Sequence, residues 1–171
     1  LAASILSKKI ILKNVPFVKD IYTMMSLLTS LGSSIKCNKN KKIIEINNPN
    51  KLKTFASYNL VKTMRAGVLV LGSLLAKFGK AKVSLPGGCA IGRRPIDIHI
   101  EGLKKLGARI KLVNGYIHAS AKNGLRGNII NFKKISVGAT ENLLIAACTA
   151  SGRTILNNCA CEPEVKDLVN F

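Results

Sequence analysis

The chain repeats itself, and that repeat limits its architecture more than any single motif does. Lys8-Lys9-Ile10-Ile11-Leu12 precedes Asn14-Val15-Pro16 and Lys19-Asp20, and a helical pattern then closes in Leu28-Thr29-Ser30-Leu31-Gly32. Lys82-Val83-Ser84-Leu85 opens a second copy, whose helical pattern closes in Leu103-Lys104-Lys105-Leu106-Gly107. Arg153-Thr154-Ile155-Leu156-Asn157-Asn158 opens a third, followed by Glu162-Pro163-Glu164-Val165-Lys166-Asp167-Leu168. Leu12, Leu85 and Leu156 are corresponding strand positions, 73 and 71 residues apart.

Each copy reads as a buried helix, a strand, a loop, an amphipathic helix closed by glycine, and a β-hairpin. Gly32 and Gly107 suit helix C-termini, where a left-handed residue is favoured. The hairpins pair Ile35-Lys36-Cys37 with Ile43-Ile44-Glu45-Ile46, and Ile110-Lys111-Leu112-Val113 with Tyr116-Ile117-His118-Ala119. Asn114-Gly115 between the latter two is a strong two-residue turn signal. The apolar runs predict buried helices over 1–7, 59–78 and 141–151. A period near 72 residues is too long for a solenoid unit, which predicts an α/β (α+β) domain of pseudo-threefold form, with apolar helices inside and sheets outside. The expected units are 1–57, 58–130 and a truncated 131–171. Leu1 lies in an apolar run and Phe171 in a helical pattern, so a fragment of a longer protein is expected.

Bulk properties narrow the function classes. The chain has 171 residues, 47% of them apolar, enough for one domain with a core. The net charge of +19 admits acidic partners. The basic residues are scattered, however, and stand beside Asn and Ile, as in Cys37-Asn38-Lys39-Asn40-Lys41-Lys42-Ile43-Ile44. That composition points to an AT-rich genome, and no aromatic residues interleave with a basic stripe, so no nucleic-acid partner is expected. Five cysteines with no signal peptide suit a reducing cytoplasm. Cys159-Ala160-Cys161 stands without a second pair or a nearby His, which argues against zinc. The apolar stretch 66–76 is far shorter than the roughly 20 residues that span a bilayer. No metal, cofactor or membrane is expected.

The segment Pro86-Gly87-Gly88-Cys89-Ala90-Ile91-Gly92-Arg93-Arg94-Pro95 concentrates the chemistry. It places one thiol among three glycines and two arginines, between a strand near 81–85 and a helix near 96–106. Glycines let backbone approach a ligand, and a helix start offers free N–H groups to anions. A Gly-rich loop alone is a weak motif, and an incidental cysteine in a surface turn fits the local pattern equally well.

Four separated motifs carry a resemblance that runs in order through almost the whole chain. Tyr58-Asn59-Leu60-Val61-Lys62-Thr63-Met64-Arg65-Ala66-Gly67 resembles the start of a central helix in UDP-N-acetylglucosamine enolpyruvyltransferases. Ser84 to Gly92 resembles their catalytic loop, and Ser136-Val137-Gly138-Ala139-Thr140-Glu141-Asn142 and Glu162-Pro163-Glu164-Val165 match further segments. The family fold is two inside-out α/β domains of three similar units each. The resemblance implies that this chain is most of one such domain.

It also implies an activity: transfer of enolpyruvate from phosphoenolpyruvate to the 3′-hydroxyl of UDP-N-acetylglucosamine, the first committed step of peptidoglycan synthesis in the bacterial cytoplasm. Cys89 is then the general acid that protonates the methylene carbon, and the thiol that fosfomycin alkylates in sensitive members. A free thiol titrates at about 8.5, and Arg93 and Arg94 push it towards thiolate. Arg65 and Arg94 match substrate-site arginines, whose planar forks suit oxyanions. Arg65 is expected inside an apolar helix, where it needs a partner. Pro95, Ile96, Asp97 and Ile98 match the stretch at the uracil ring. Lys134, Ile135, Ser136, Val137 and Gly138 match the diphosphate side. Glu141, Glu162, Glu164 and His99 are expected to be structural, with Glu141 capping the third buried helix, and His118 is assigned no role. The family's Lys-Asn pair, the aspartate proposed as base for the sugar hydroxyl and a further arginine lie outside 1–171. The fragment alone is therefore expected to be inactive.

Three other readings compete. A shikimate-3-phosphate enolpyruvyltransferase shares fold and chemistry but lacks this cysteine loop. An RNA 3′-phosphate cyclase-like protein suits the charge but works through a nucleotide-bound histidine, and neither His99 nor His118 sits in such a motif. A non-catalytic fragment that binds a UDP-sugar weakly is the third.

Overall fold

The computed structural model describes residues 1–86 and 96–171. Three sheets enclose a set of apolar helices, and the first two sheets share one topology. In the first, β1 (Lys9–Leu12) and β2 (Ser34–Asn38) both pair antiparallel with β3 (Ile43–Asn47), in the order β1-β3-β2. In the second, β5 (Lys80–Ser84) and β6 (Arg109–Val113) flank β7 (Tyr116–Ser120) in the same way. The short β4 (Phe55–Ala56) adds in parallel to β5, and β8 (Ile129–Asn131) adds in parallel to β9 (Ile155–Asn157). The segment that ends one repeat thus joins the sheet of the next.

Alternation in the central strands explains the layering. Ile44 and Ile46 of β3 are fully buried, while Glu45 between them faces out and pairs with Lys9 at 2.8 Å. Ile117 and Ala119 of β7 point inward in the same way. The outer helix α1 (Lys19–Leu31) buries Met24, Leu27, Leu28 and Leu31, one stripe at helical spacing. It closes at Gly32, whose φ of 111° is left-handed. Asn114 and Gly115, at φ 48° and 76°, make the β6–β7 turn in the conformation a tight hairpin requires.

Three helices meet at the centre of the second and third repeats. The helix α3 (Val70–Phe78) is buried around most of its circumference, α5 (Val137–Ala147) packs against it, and α4 (Asp97–Lys105) packs on α5. Gly72 and Gly102 permit this spacing. A Cβ on Gly72 would overlap the side chain and carbonyl of Asn142, and one on Gly102 would overlap Leu143. The final helix α6 (Pro163–Asn170) starts with proline at its first position and packs on α5.

The predicted helix over 59–78 is three pieces. A short α2 (Tyr58–Val61) ends, Met64 adopts an extended conformation (φ −144°, ψ 132°), and a 3-10 turn (Arg65–Leu69) leads into α3. Gly67 lets the turn fold back on α2, since a Cβ there would meet the Val61 backbone at 3.2 Å. The helix predicted over 1–7 is a 3-10 turn, Ala2–Leu6. Its place is held by buried polar groups: Asn48 Nδ2 donates to the Ser4 carbonyl (2.7 Å), and Ser73 Oγ to that of Ala2 (2.9 Å). The helix predicted over 141–151 begins earlier, at Val137, because Ser136 caps it.

Candidate active site

A cleft of about 460 Å³ opens where the 3-10 turn, the end of β5, the start of α4 and the start of α5 converge. Arg65, Ala66, Val68, Leu69, Pro86, Ile96, His99, Ser136, Val137, Gly138 and Glu141 line it. Each element reaches it for a local reason. The extended Met64 turns the chain so that Arg65 stands exposed at the rim. Ile96 and His99 are three apart at the start of α4 and share one face. Ser136 Oγ accepts from the Ala139 amide (3.3 Å), fixing the start of α5, and Thr140 Oγ1 donates to the Ser136 carbonyl (2.8 Å). Helix starts hold amides without intrahelical partners and a partial positive charge, so this end of the cleft favours an anion. Removing the cap with Ser136→Ala is expected to destabilise the start of α5 by about 1 kcal/mol. Faster hydrogen exchange at the first-turn amides of α5 is the measurement; unchanged exchange would show that the cap carries no weight.

Two titrating groups face the cleft. Burial pushes the Glu141 carboxyl up, and the Glu164 charge adds to that. Burial lowers the His99 imidazole to about 4, against about 6.5 for an unfolded histidine. Between those values the unfolded chain binds more protons than the folded one. His99's stabilising contribution is therefore complete above about pH 6.5 and is lost as pH falls toward 4, a change of about 3 kcal/mol. Glu141, with its raised value, shifts in the opposite sense and offsets part of this. Comparing wild type with His99→Gln isolates the histidine: unfolding free energies from pH 7 to 4 should fall about 3 kcal/mol further in wild type. Parallel curves would show that His99 is not held neutral.

The model of the EPSP synthase (3-phosphoshikimate 1-carboxyvinyltransferase) family matches residues 1–171. The chain belongs to that family. Among its relatives, the UDP-N-acetylglucosamine 1-carboxyvinyltransferase of Pelagibacter ubique is 66% identical over the whole chain, and that of Coxiella burnetii is 52% identical. The chain spans 41% and 39% of the length of those two proteins. Among solved structures, the enolpyruvyl transferase NikO from Streptomyces tendae superposes on 99% of the chain with a TM-score of 0.83 at 16% identity, covering 39% of that protein. EPSP synthase from Acinetobacter baumannii superposes on 96% of the chain with a TM-score of 0.68 at 15% identity, again over 39% of its length. The inside-out α/β fold of enolpyruvyl transferases is thus the fold of this chain.

Five of the residues that the sequence marks as site candidates come together in the cleft of this family member: Arg65, Ile96, Ser136, Val137 and Gly138. Asp97 and Lys134 are exposed beside it, Ile135 is 56% exposed, and Ile98 packs on the core; none of these four lines the cavity. Cys89, Arg93, Arg94 and Pro95 lie outside the described residues. Arg65 is not the buried helical arginine the apolar run predicts. It is exposed, and neither ion pair among the described residues, Lys9–Glu45 and Lys133–Glu101, involves it. Glu141 is not the cap of α5, a role Ser136 fills; it sits a turn further in, on the cleft wall. His99 also lines the cleft, which the sequence reading missed. Its spacing from Ile96 was the available signal.

Four cysteines among the described residues are free: Cys37, Cys148, Cys159 and Cys161. No cluster of three or more potential metal ligands occurs among the described residues, and no helix there is long and apolar enough to cross a membrane.

Proposed function

We propose that this chain is the thiol-bearing part of a bacterial, cytoplasmic UDP-N-acetylglucosamine enolpyruvyltransferase, built as units near 1–57, 58–130 and 131–171 of one domain. The observation that carries the reading is that residues flanking Cys89 in the sequence line one cleft. Pro86 and Ile96, on either side of segment 87–95, both line the cleft that holds Arg65 and the start of α5. The names of relatives at 66% and 52% identity favour an amino-sugar nucleotide as acceptor over shikimate 3-phosphate.

In this reading the nucleotide occupies the cleft and the surface beside it. Pro95, Ile96, Asp97 and Ile98 flank the uracil ring. Lys134, Ile135, Ser136, Val137 and Gly138 face the diphosphate, where the amides and dipole of α5 favour negative charge. Arg65 and Arg94 contact substrate oxyanions. The reaction is addition followed by elimination. The sugar 3′-oxygen bonds to C2 of phosphoenolpyruvate while the Cys89 thiol delivers a proton to C3. The hydroxyl proton passes to a carboxylate expected outside this chain. The C2–O bond to phosphate then breaks as a C3 proton returns to the Cys89 thiolate, which re-forms the C2=C3 double bond, leaves an enol ether and releases phosphate. Both substrates must be enclosed for this, so the part of the protein beyond this chain is required as the other wall.

The test is phosphate release by the full-length protein from phosphoenolpyruvate with each acceptor in turn. Turnover with UDP-N-acetylglucosamine and none with shikimate 3-phosphate is expected. The reverse preference would overturn the reading. Fosfomycin in the presence of UDP-N-acetylglucosamine is expected to add a single adduct, absent in Cys89→Ser.

A further inference from the structure

His99 is joined to the centre of the domain by a chain of hydrogen bonds that fixes where its proton sits. The Gly72 amide donates to Asn142 Oδ1 at 2.8 Å, so that atom is the acceptor end of the side-chain amide. Asn142 Nδ2 is therefore the donor end, and it lies 3.0 Å from His99 Nδ1. A long 3.5 Å contact from the same nitrogen to the Val68 carbonyl agrees with this orientation. An Nδ1 that accepts carries no proton, so a neutral imidazole must carry it on Nε2. Asn142 is fully buried and His99 is 6% exposed, so neither has water to substitute for these bonds.

His99 lines the cleft, and its Cε1–Nε2 edge lies toward Gly138, another lining residue. A Cβ built on Gly138 would lie 3.6 Å from His99 Cε1 and 3.8 Å from Nε2, so this edge of the ring stands against the first turn of α5. Among the described residues Nε2 has no hydrogen-bond partner, and no carboxylate lies within ion-pair distance of it. His99, 6% exposed as a residue, thus lines a cavity beside a helix start with a ring nitrogen that has no hydrogen-bond partner among the described residues.

We propose that His99 is a ligand-binding residue of the cleft, whose Nε2–H donates to an anionic diphosphate oxygen of the bound nucleotide at the start of α5. This rests on the cleft being the nucleotide site, as proposed above. The histidine acts as a neutral, fixed donor. It is not a base, because the nitrogen facing the ligand already holds its proton and the other is engaged by Asn142. Asn142 is the positioning residue, and Gly72 holds Asn142.

The experiment uses full-length protein with 15N-labelled histidine, and reads the His99 ring nitrogens by long-range proton–nitrogen correlation. The expected spectrum shows the Nε2–H tautomer. Inorganic pyrophosphate and UDP should each shift the Nε2 signal, whereas uridine should leave it in place. In calorimetry, His99→Phe should weaken UDP-N-acetylglucosamine binding about tenfold to a hundredfold, the range for a lost hydrogen bond to a charged group. His99→Gln, which keeps an N–H donor at similar reach, should recover most of that loss. An Nδ1–H tautomer, or an Nε2 signal unmoved by both pyrophosphate and UDP, would overturn the proposal even if the variants fail to fold. An Nε2 response to pyrophosphate without UDP-sugar binding would remove the nucleotide reading and leave His99 as an oxyanion donor. Turnover of UDP-N-acetylglucosamine with a silent Nε2 would remove only the role of His99.

Discussion

Cys89→Ser in the full-length protein should lower kcat for enolpyruvate transfer by about a hundredfold or more, with little change in KM for UDP-N-acetylglucosamine. A positioned general acid contributes about 10²–10⁴ in rate, and a serine hydroxyl is far less acidic than a thiol that titrates near 8.5. The nucleotide should feel the change little, because the groups assigned to it, 95–98 and 134–138, are at and just before the starts of α4 and α5 in the sequence. Steady-state phosphate release is the measurement. A kcat within a few-fold of wild type would remove Cys89 from the chemistry.

Gly72→Ala should be the most damaging methyl group that can be added to the central helices. The new Cβ would overlap both the side chain and the carbonyl of Asn142, which is fully buried and cannot swing away. The shift would also strain the 2.8 Å bond from the Gly72 amide to Asn142 Oδ1. Overpacking costs about 1–3 kcal/mol and a compromised buried hydrogen bond a similar amount, against a gain of at most about 1 kcal/mol from alanine's helix propensity. The net expectation is about 2–3 kcal/mol, read as roughly 30- to 100-fold faster hydrogen exchange in α3 and α5. Gly115→Ala is the contrast. No atom lies within 4 Å of a Cβ there, so only the left-handed φ of 76° is penalised, at about 1 kcal/mol. Equal effects at the two glycines would show that the α3–α5 contact is looser than described.

Local physics made much of this protein legible from its residues. The hairpins followed from period-2 alternation and from Asn114-Gly115, whose positive φ angles few other pairs adopt without strain. The ends of α1 and α4 were marked by Gly32 and Gly107, both left-handed in the structure. The repeat itself showed in Leu12, Leu85 and Leu156, and the matched topologies β1-β3-β2 and β5-β7-β6 bear it out. Ser136, Val137 and Gly138 stood out only through the family resemblance; taken alone they read as a capped turn, and the helix was expected from 141 rather than from Val137.

What stayed hidden depends on neighbours distant in sequence. The break at Met64 lies within an apolar run that any periodicity argument extends into one helix. Only packing of the turn at Gly67 against Val61 explains it, and that packing brings Arg65 to the cleft rim. His99 read as a structural histidine because its setting is made by Asn142, 43 positions away, and by Gly72, 70 positions from Asn142. The residues of this chain by themselves determined its strands, turns, helix ends and threefold period, since each rests on backbone preference or on contacts a few positions apart. The tertiary structure alone decided which of the marked residues share a cleft and which nitrogen of His99 is engaged by Asn142. Those outcomes are set by close packing and by a buried hydrogen-bond chain across three helices, and neither leaves a periodic trace in the sequence.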